Sequence, residues 1–140
     1  VVKITIYFEN KELRTEKKYF DDAGIDLKAK EKITIQPGEI VAVPTGVTSV
    51  LDEGTYGQVV GRSSMNLKGI DCKIGTIDAS YRGEIKVVLH NLNKEPVIIE
   101  KYDRIAQMII KNCHLDYKEI IGVAPSDTER GSNGFGSTGR

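Results

Sequence analysis

Four stretches of this chain carry side chains suited to handling phosphate. Arg62-Ser63-Ser64 sets a planar, multi-donor cation beside two hydroxyls. A short helix opening there would add free amides for phosphate oxygens; the same residues would also serve as a helix cap and a structural ion pair. Asp78 lies between Ile77 and the turn signal Tyr81-Arg82-Gly83. A hairpin there would hold its carboxylate on a two-stranded support, although an Asp that merely shapes a turn has the same pattern. Gln107 can donate its amide to a phosphate oxygen. From Ser126 to Arg140 the chain is rich in glycine and nearly free of apolar residues, yet it holds Arg130 and an isolated Phe135. Gly131 to Gly136, followed by Ser137-Thr138, has the glycine frame of a P-loop. The lysine of that motif is missing and no helix follows. The stretch therefore reads as an arm able to cradle phosphate, against the alternative of a flexible tail.

These groups must be positioned by strands. Val2, Ile4, Ile6 and Phe8 alternate with polar neighbours, as in a half-buried strand. Ile33 and Ile35 do the same ahead of Gln36-Pro37-Gly38-Glu39, a turn. The run Ile40 to Val43 is expected to end at Pro44. Further strands are expected over 56–60, 84–90, 97–99 and 104–110, with Ile105 and Ile109 as core. Turn signals recur at Asp52-Glu53-Gly54, Arg82-Gly83 and Asn91-Leu92-Asn93. Only 63–68 looks helical, capped by Ser63 or Ser64 and ended by Gly69. Many short strands with regular punctuation imply an all-β jelly roll or distorted barrel. Residues 1–125 form that domain, and 126–140 the arm.

Composition narrows the field. The chain has 140 residues with no composition break, so one domain with its own core is expected. Twenty basic and twenty acidic residues cancel, which argues against a general nucleic-acid binder. No apolar run is long enough to cross a bilayer, and the first residues lack the layout of a signal peptide. Cys72 and Cys113 show neither metal-ligand spacing nor a disulfide framework, so an intracellular compartment is expected. His90 and His114 sit at a strand end and in a connection, without partners that suggest chemistry.

In order, the blocks Ala23-Gly24-Ile25-Asp26-Leu27, Gly61-Arg62-Ser63-Ser64, Gly75 to Glu84, Asp103-Arg104-Ile105-Ala106-Gln107 and Arg130 to Gly139 resemble those of the trimeric dUTP pyrophosphatase (dUTPase) family. The resemblance implies a homotrimer of jelly-roll subunits with shared active sites. It implies hydrolysis of dUTP to dUMP and pyrophosphate by water attack at the α-phosphorus, limiting uracil in DNA and supplying dUMP for dTMP synthesis. Asp78 would orient that water and accept its proton. Tyr81 would pack on the deoxyribose. The backbone from Cys72 to Tyr81, including Thr76 and Ile77, would read the uracil edge, with Lys86 lining the nucleoside pocket. Cys72 stands where many members have Asn, and Ser64 where Gly is commoner. Arg62, Ser63, Ser64 and Gln107 would bind phosphates. Arg130 would meet the terminal phosphates and Phe135 would cover the uracil, with Gly136, Ser137 and Thr138 adding phosphate contacts from a neighbour's arm. Mg2+ would arrive with the nucleotide, touching Asp26 through water; magnesium often binds through few carboxylates plus substrate phosphates. Neither a membrane nor direct nucleic-acid binding is implied, and the setting would be the cytoplasm, or the nucleus or viral factory of a eukaryotic or viral source.

Two other readings fit part of this pattern. A dCTP deaminase resembles this pattern but needs an acid on the strand after Asp78, where this chain has Lys86-Val87-Val88-Leu89. A nucleotide-sensing module without turnover would show a broken catalytic block, whereas Asp78, Tyr81, Arg130 and Phe135 are all present.

Overall fold

Alternation decides which face of each strand is buried. In β8 (Ile85–Asn91), Ile85, Val87 and Leu89 are wholly buried, while Lys86 between them is exposed. Such β-branched and aliphatic side chains fit a pleated surface covered on one side. Burying one of them contributes about 1.5–3 kcal/mol relative to leaving it in water. The same period sets the core faces of β5 (Thr55–Val60), with Val59 inward, and of β10 (Arg104–Asn112), with Ala106 and Met108 inward; a register shift between Arg104 and Ala106 buries Ile105 as well.

The computed structural model describes residues 3–136. The other strands are β1 (Thr5–Phe8), β2 (Ile25–Lys28), β3 (Ile33–Ile35), β4 (Ile40–Val50), β6 (Ile70–Cys72), β7 (Gly75–Asp78) and β9 (Val97–Ile99). One four-stranded sheet has the order β1-β4-β8-β6, a second has β2-β10-β5-β7, and β3 pairs with β9. Every pairing is antiparallel. The two large sheets enclose a core that includes Leu27, Ile35, Val43, Val59, Ile85, Leu89, Ile105 and Met108. This is the all-β jelly roll expected from the pattern, with one short helix, α1 (Ser63–Leu67).

Three expectations need correction. β4 does not stop at Pro44 but runs on to Val50. Pro44 is tolerated because β1 pairs only with Val47 to Val50, so at Pro44 the strand has one partner, β8, and a bulge follows before Val47. The bulge is held by Thr45 Oγ1 donating to the Ile85 carbonyl and by the Gly46 amide donating to Glu84 Oε2 at 2.8 Å. Second, β7 and β8 do not form a hairpin. β7 pairs with β5 in one sheet and β8 with β4 and β6 in the other, so residues 79–84 cross between sheets. Third, α1 is not capped by a serine. Arg62 is the N-cap, with extended backbone and no side-chain cap bond, and its carbonyl accepts from the Met65 and Asn66 amides. Ser63 and Ser64 lie in the first turn and are exposed. Gly69, at φ 78°, ends the helix as expected.

Asn91 closes the end of β8. It is fully buried; its Nδ2 donates to the carbonyls of Ile35 and Glu95 at 2.9 Å each, and its Oδ1 accepts from the Asn93 amide at 2.9 Å. Removing the amide strands buried polar groups. Asn91→Ala is expected to lower the unfolding free energy by about 3 kcal/mol, measured by urea denaturation; a loss under about 0.5 kcal/mol, the scale of an inert surface change, would contradict this role.

Candidate active site

β5 separates two groups of candidate residues. On one side it pairs with β10, placing Gln107 opposite Val60; on the other it pairs with β7, placing Asp78 opposite Tyr56. Those positions are four residue steps apart on β5, about 13 Å along the axis. Asp78 and Gln107 are therefore not brought together within one chain.

The first group lines a groove of about 890 Å3 that includes Asp26, Arg62, Arg104 and Gln107. Asp26 and Gln107 are paired across β2 and β10. Asp26 Oδ2 lies 3.6 Å from Arg104 Nη1, and Arg62 Nη1 donates to the Arg104 carbonyl at 3.4 Å. Arg104 thus ties the carboxylate and the second guanidinium together, a role its place in the sequence block does not reveal. Gly24 belongs to the first sequence block, whose pattern does not explain why glycine stands there. A Cβ there would collide with the Gln107 carboxamide, so glycine leaves the space that side chain occupies. Ile109, expected in the core, is half-buried and lines this groove. It follows the last fully buried residue of β10, Met108, where the strand turns its side chains outward.

The second group surrounds Asp78 at the end of β7. Thr76 and Asp78 face outward and are exposed, whereas the Ile77 side chain packs on the core, leaving only its backbone for contact. The Tyr81 amide donates to the Asp78 carbonyl at 3.1 Å, and Arg82 Nη1 donates to the Ala79 carbonyl at 2.7 Å. These bonds fix a tight turn directly after the carboxylate. Asp78, Ala79, Ser80, Arg82 and Tyr56 line a second groove of about 450 Å3. Tyr81 is exposed, and its hydroxyl donates to the Glu84 carbonyl at 2.9 Å. Gly83 gives the ring room, because a Cβ there would overlap it. β7 is an edge strand, and among the described residues its outer backbone has no strand partner. Lys86 is exposed on β8 opposite Pro44, in the other sheet.

The arm makes a local turn. The Arg130 Nε donates to the Asn133 carbonyl at 2.6 Å, and the Asn133 amide donates back to the Arg130 carbonyl at 3.0 Å. Gly131 and Gly136 have φ of 52° and 96°, values that glycine adopts without penalty. Phe135 is fully exposed at φ 46°. Ser137 and Thr138 lie outside the described residues. Before the arm, 113–125 contains no strand or helix, and it exposes Leu115, Tyr117, Ile120, Ile121 and Val123.

The donor set suits a metal ion carried by phosphates better than one caged by protein. Asp26 offers one carboxylate, already beside Arg104. Among the described residues no group of three or more His, Cys, Asp or Glu side chains converges.

A family model described as dUTPase matches residues 12–139. The deoxyuridine 5'-triphosphate nucleotidohydrolase of Corynebacterium diphtheriae is 46% identical over 128 residues, covering 88% of this chain and 83% of that protein. Its counterpart in Rickettsia felis is 49% identical over 125 residues, covering 84% and 82%. Among solved structures, the Staphylococcus bacteriophage 80alpha dUTPase G164S mutant with dUpNHpp superposes with a TM-score of 0.86 at 25% identity, covering 98% of each chain.

Cys72 occupies the core rather than a groove. Its side chain is 7% exposed and its Cβ lies 3.1 Å from where a Gly61 Cβ would stand. Burial, with the neighbouring Asp71 carboxylate adding to it, raises the thiol from an ordinary 9.0 to about 11. Between those values the unfolded chain holds fewer protons, so stability that is complete below about pH 9 is lost as pH rises toward 11. Native protein at pH 8 is expected to react with a thiol reagent at Cys113 while Cys72 stays unmodified until unfolding. The alkaline loss of stability should be smaller in Cys72→Val. Rapid native labelling of Cys72 would refute the assignment.

Proposed function

The chain belongs to the dUTPase family, and from that premise we propose that this dUTP nucleotidohydrolase works through a water molecule aimed by Asp78 at the α-phosphorus of dUTP. The observation that carries the reading is the placement of Asp78: an exposed carboxylate at the end of an edge strand, fixed by the turn that follows it. In the step proposed, the water oxygen bonds to the α-phosphorus and the bond from that phosphorus to the β-bridging oxygen breaks. Asp78 takes the proton, and dUMP and pyrophosphate leave. In-line attack needs a nucleophile held in position more than it needs covalent chemistry.

The remaining residues take roles consistent with where they lie. The outer backbone edge of β7, from Gly75 to Asp78, offers donors and acceptors in fixed order for the uracil edge. A base with the wrong edge would leave such groups unpaired. Tyr81, braced by Glu84, would pack on the deoxyribose, with Lys86 near the nucleoside. Arg62, Gln107 and the exposed Ser63 and Ser64 would bind phosphate oxygens. Asp26 would hold the water shell of a magnesium ion bound to the triphosphate. That ion would neutralise charge developing on the phosphates.

Asp78 and the Arg62–Gln107 groove lie too far apart in one chain, so a complete site would combine two copies. A homotrimer is the proposed assembly, with the exposed apolar run from Leu115 to Val123 lying against a neighbour. It would carry Arg130, Phe135, Gly136, Ser137 and Thr138 over the site. Ordering the arm costs about 1–2 kcal/mol per residue, so closure should wait for the full triphosphate. The activity would limit uracil in DNA and supply dUMP for dTMP synthesis, inside the cell.

Two outcomes are expected. Asp78→Asn should bind a non-hydrolysable dUTP analogue within about threefold of wild type while kcat falls about a thousandfold; a wild-type rate would reject the assigned base. Asp78→Asn and Arg62→Gln, each inactive alone, should recover activity when unfolded together and refolded. Half of the chains then carry each intact residue, so random assembly of a site from two copies restores about a quarter of the sites. No recovery would rule out a shared site.

A further inference from the structure

The groove that holds Arg62, Gln107 and Asp26 is also bounded by the segment 14–18, which carries cations the roles above leave unused. Arg14 and Lys18 both line it. Among the described residues, neither has a carboxylate within ion-pair distance. Arg104, by contrast, stands beside Asp26.

The segment is anchored at both ends. Leu13, directly before Arg14, is wholly buried. Lys28 Nζ, on β2, donates to the Glu12 carbonyl at 2.8 Å and to the Arg14 carbonyl at 3.4 Å. At the other end Lys17 Nζ donates to the Asp22 carbonyl at 2.7 Å. The Asp22 amide donates to the Tyr19 carbonyl, and the Tyr19 amide to Asp22 Oδ2, each at 3.1 Å. Lys17 is thus occupied in closing the turn, while the Lys18 ammonium stands 5.4 Å from the Tyr19 ring centroid. Two lysines spend their ammonium groups on backbone carbonyls and thereby hold Arg14 and Lys18 at the groove. Side chains on a pre-set backbone lose less freedom when they bind an anion.

Resting on the phosphate groove proposed above, we propose that Arg14 and Lys18 bind the terminal phosphate of the substrate from the groove side, opposite the arm's Arg130, and strengthen the preference for a nucleoside triphosphate over a diphosphate. A terminal phosphate carries close to two negative charges near neutral pH. Arg62 and Gln107, beside Asp26, suit the phosphates nearer the reacting centre. An arginine matches the planar arrangement of phosphate oxygens and a lysine adds a point charge. Both side chains are exposed, so their contribution is screened by salt.

The test measures binding of the α,β-imido analogues of dUTP and of dUDP by calorimetry, at fixed magnesium and at two salt concentrations. The proteins are wild type, Arg14→Gln, Lys18→Gln and Arg14→Lys. Each Gln variant is expected to bind the triphosphate analogue about tenfold more weakly and the diphosphate analogue within about twofold, with the loss shrinking at high salt. Arg14→Lys should recover part of the affinity. In turnover, KM for dUTP should rise while kcat stays within about twofold. Equal losses for both analogues, or no loss for either, would overturn the proposal while leaving the site itself standing. Wild-type protein that bound neither analogue would instead sink the phosphate groove and this inference with it. If Arg14→Gln fails to fold, Lys18→Gln, on an exposed turn, decides the matter alone.

Discussion

The register of β5 against its two neighbours fixes where Asp78 and Gln107 stand. β5 is bonded to β10 through six residue pairs and to β7 through four. Gly57 and Val59 face the core, and a Cβ at Gly57 would press on both Met108 and Ile77. That packing admits one register. A slip of one residue along β7 would turn Ile77 outward and drive Asp78 into the core, where an unpaired carboxylate is costly. The hydrophobic interior and the turn bond to the Asp78 carbonyl therefore hold the carboxylate outward at a set height, with no polar contact to the carboxylate itself among the described residues.

The same constraint explains why the candidate residues collect at margins. Interior positions of the sandwich are filled by aliphatic side chains, leaving chemistry to edge strands and connections. β2 and β7 are the two edges of one sheet, and they carry Asp26 and Asp78. With three strand spacings from β2 to β7, the two carboxylates stand at least about 14 Å apart in one subunit, too far to meet at one reacting phosphate. The roles proposed for the two carboxylates thus call for more than one copy of the chain. The exposed apolar run after β10 is consistent with that requirement, because soluble monomers seldom leave so many large apolar side chains in water along one segment.

Strand positions were largely legible because period-two alternation directly records which face is covered. β9 is found over Val97–Ile99 as expected, and β10 extends two residues past the expected Ile110. The errors have local causes. Pro44 reads as a strand end, yet a neighbour that begins pairing only at Val47 makes the proline harmless. Tyr81-Arg82-Gly83 reads as a hairpin, because nothing in the signal says whether the next strand returns to the same sheet. Ser63 reads as a cap, but a cap is defined by backbone angles, and Arg62 has them. β2 and β6 escaped notice as strands: Ile25-Asp26-Leu27-Lys28 and Ile70-Asp71-Cys72 each hold an acidic residue between only two apolar ones, and no turn signal marks their ends as Pro37-Gly38 marks the end of β3. In the site, isolated residue types were legible and their supports were not. Gly24 is explained only once Gln107 is seen beside it, and Arg104 only once Asp26 and Arg62 converge on it.

Cys72 shows how burial bears on base recognition. A side chain that read the base would have to present polar atoms to the ligand. This thiol is packed in the core, held protonated by burial, and its Sγ lies 3.7 Å from the Lys73 carbonyl. What remains nearby for recognition is backbone. β6 ends at Cys72 and β7 begins at Gly75, so the chain passes from one sheet to the other within two residues. That sharp passage fixes the peptide groups on the outer side of β7 by covalent geometry and core packing together. Peptide donors and acceptors keep their order whatever side chain stands at position 72. Replacement of an amide by a thiol there then alters how the core is filled more than which base edge can be paired, provided the new side chain fits beside Gly61.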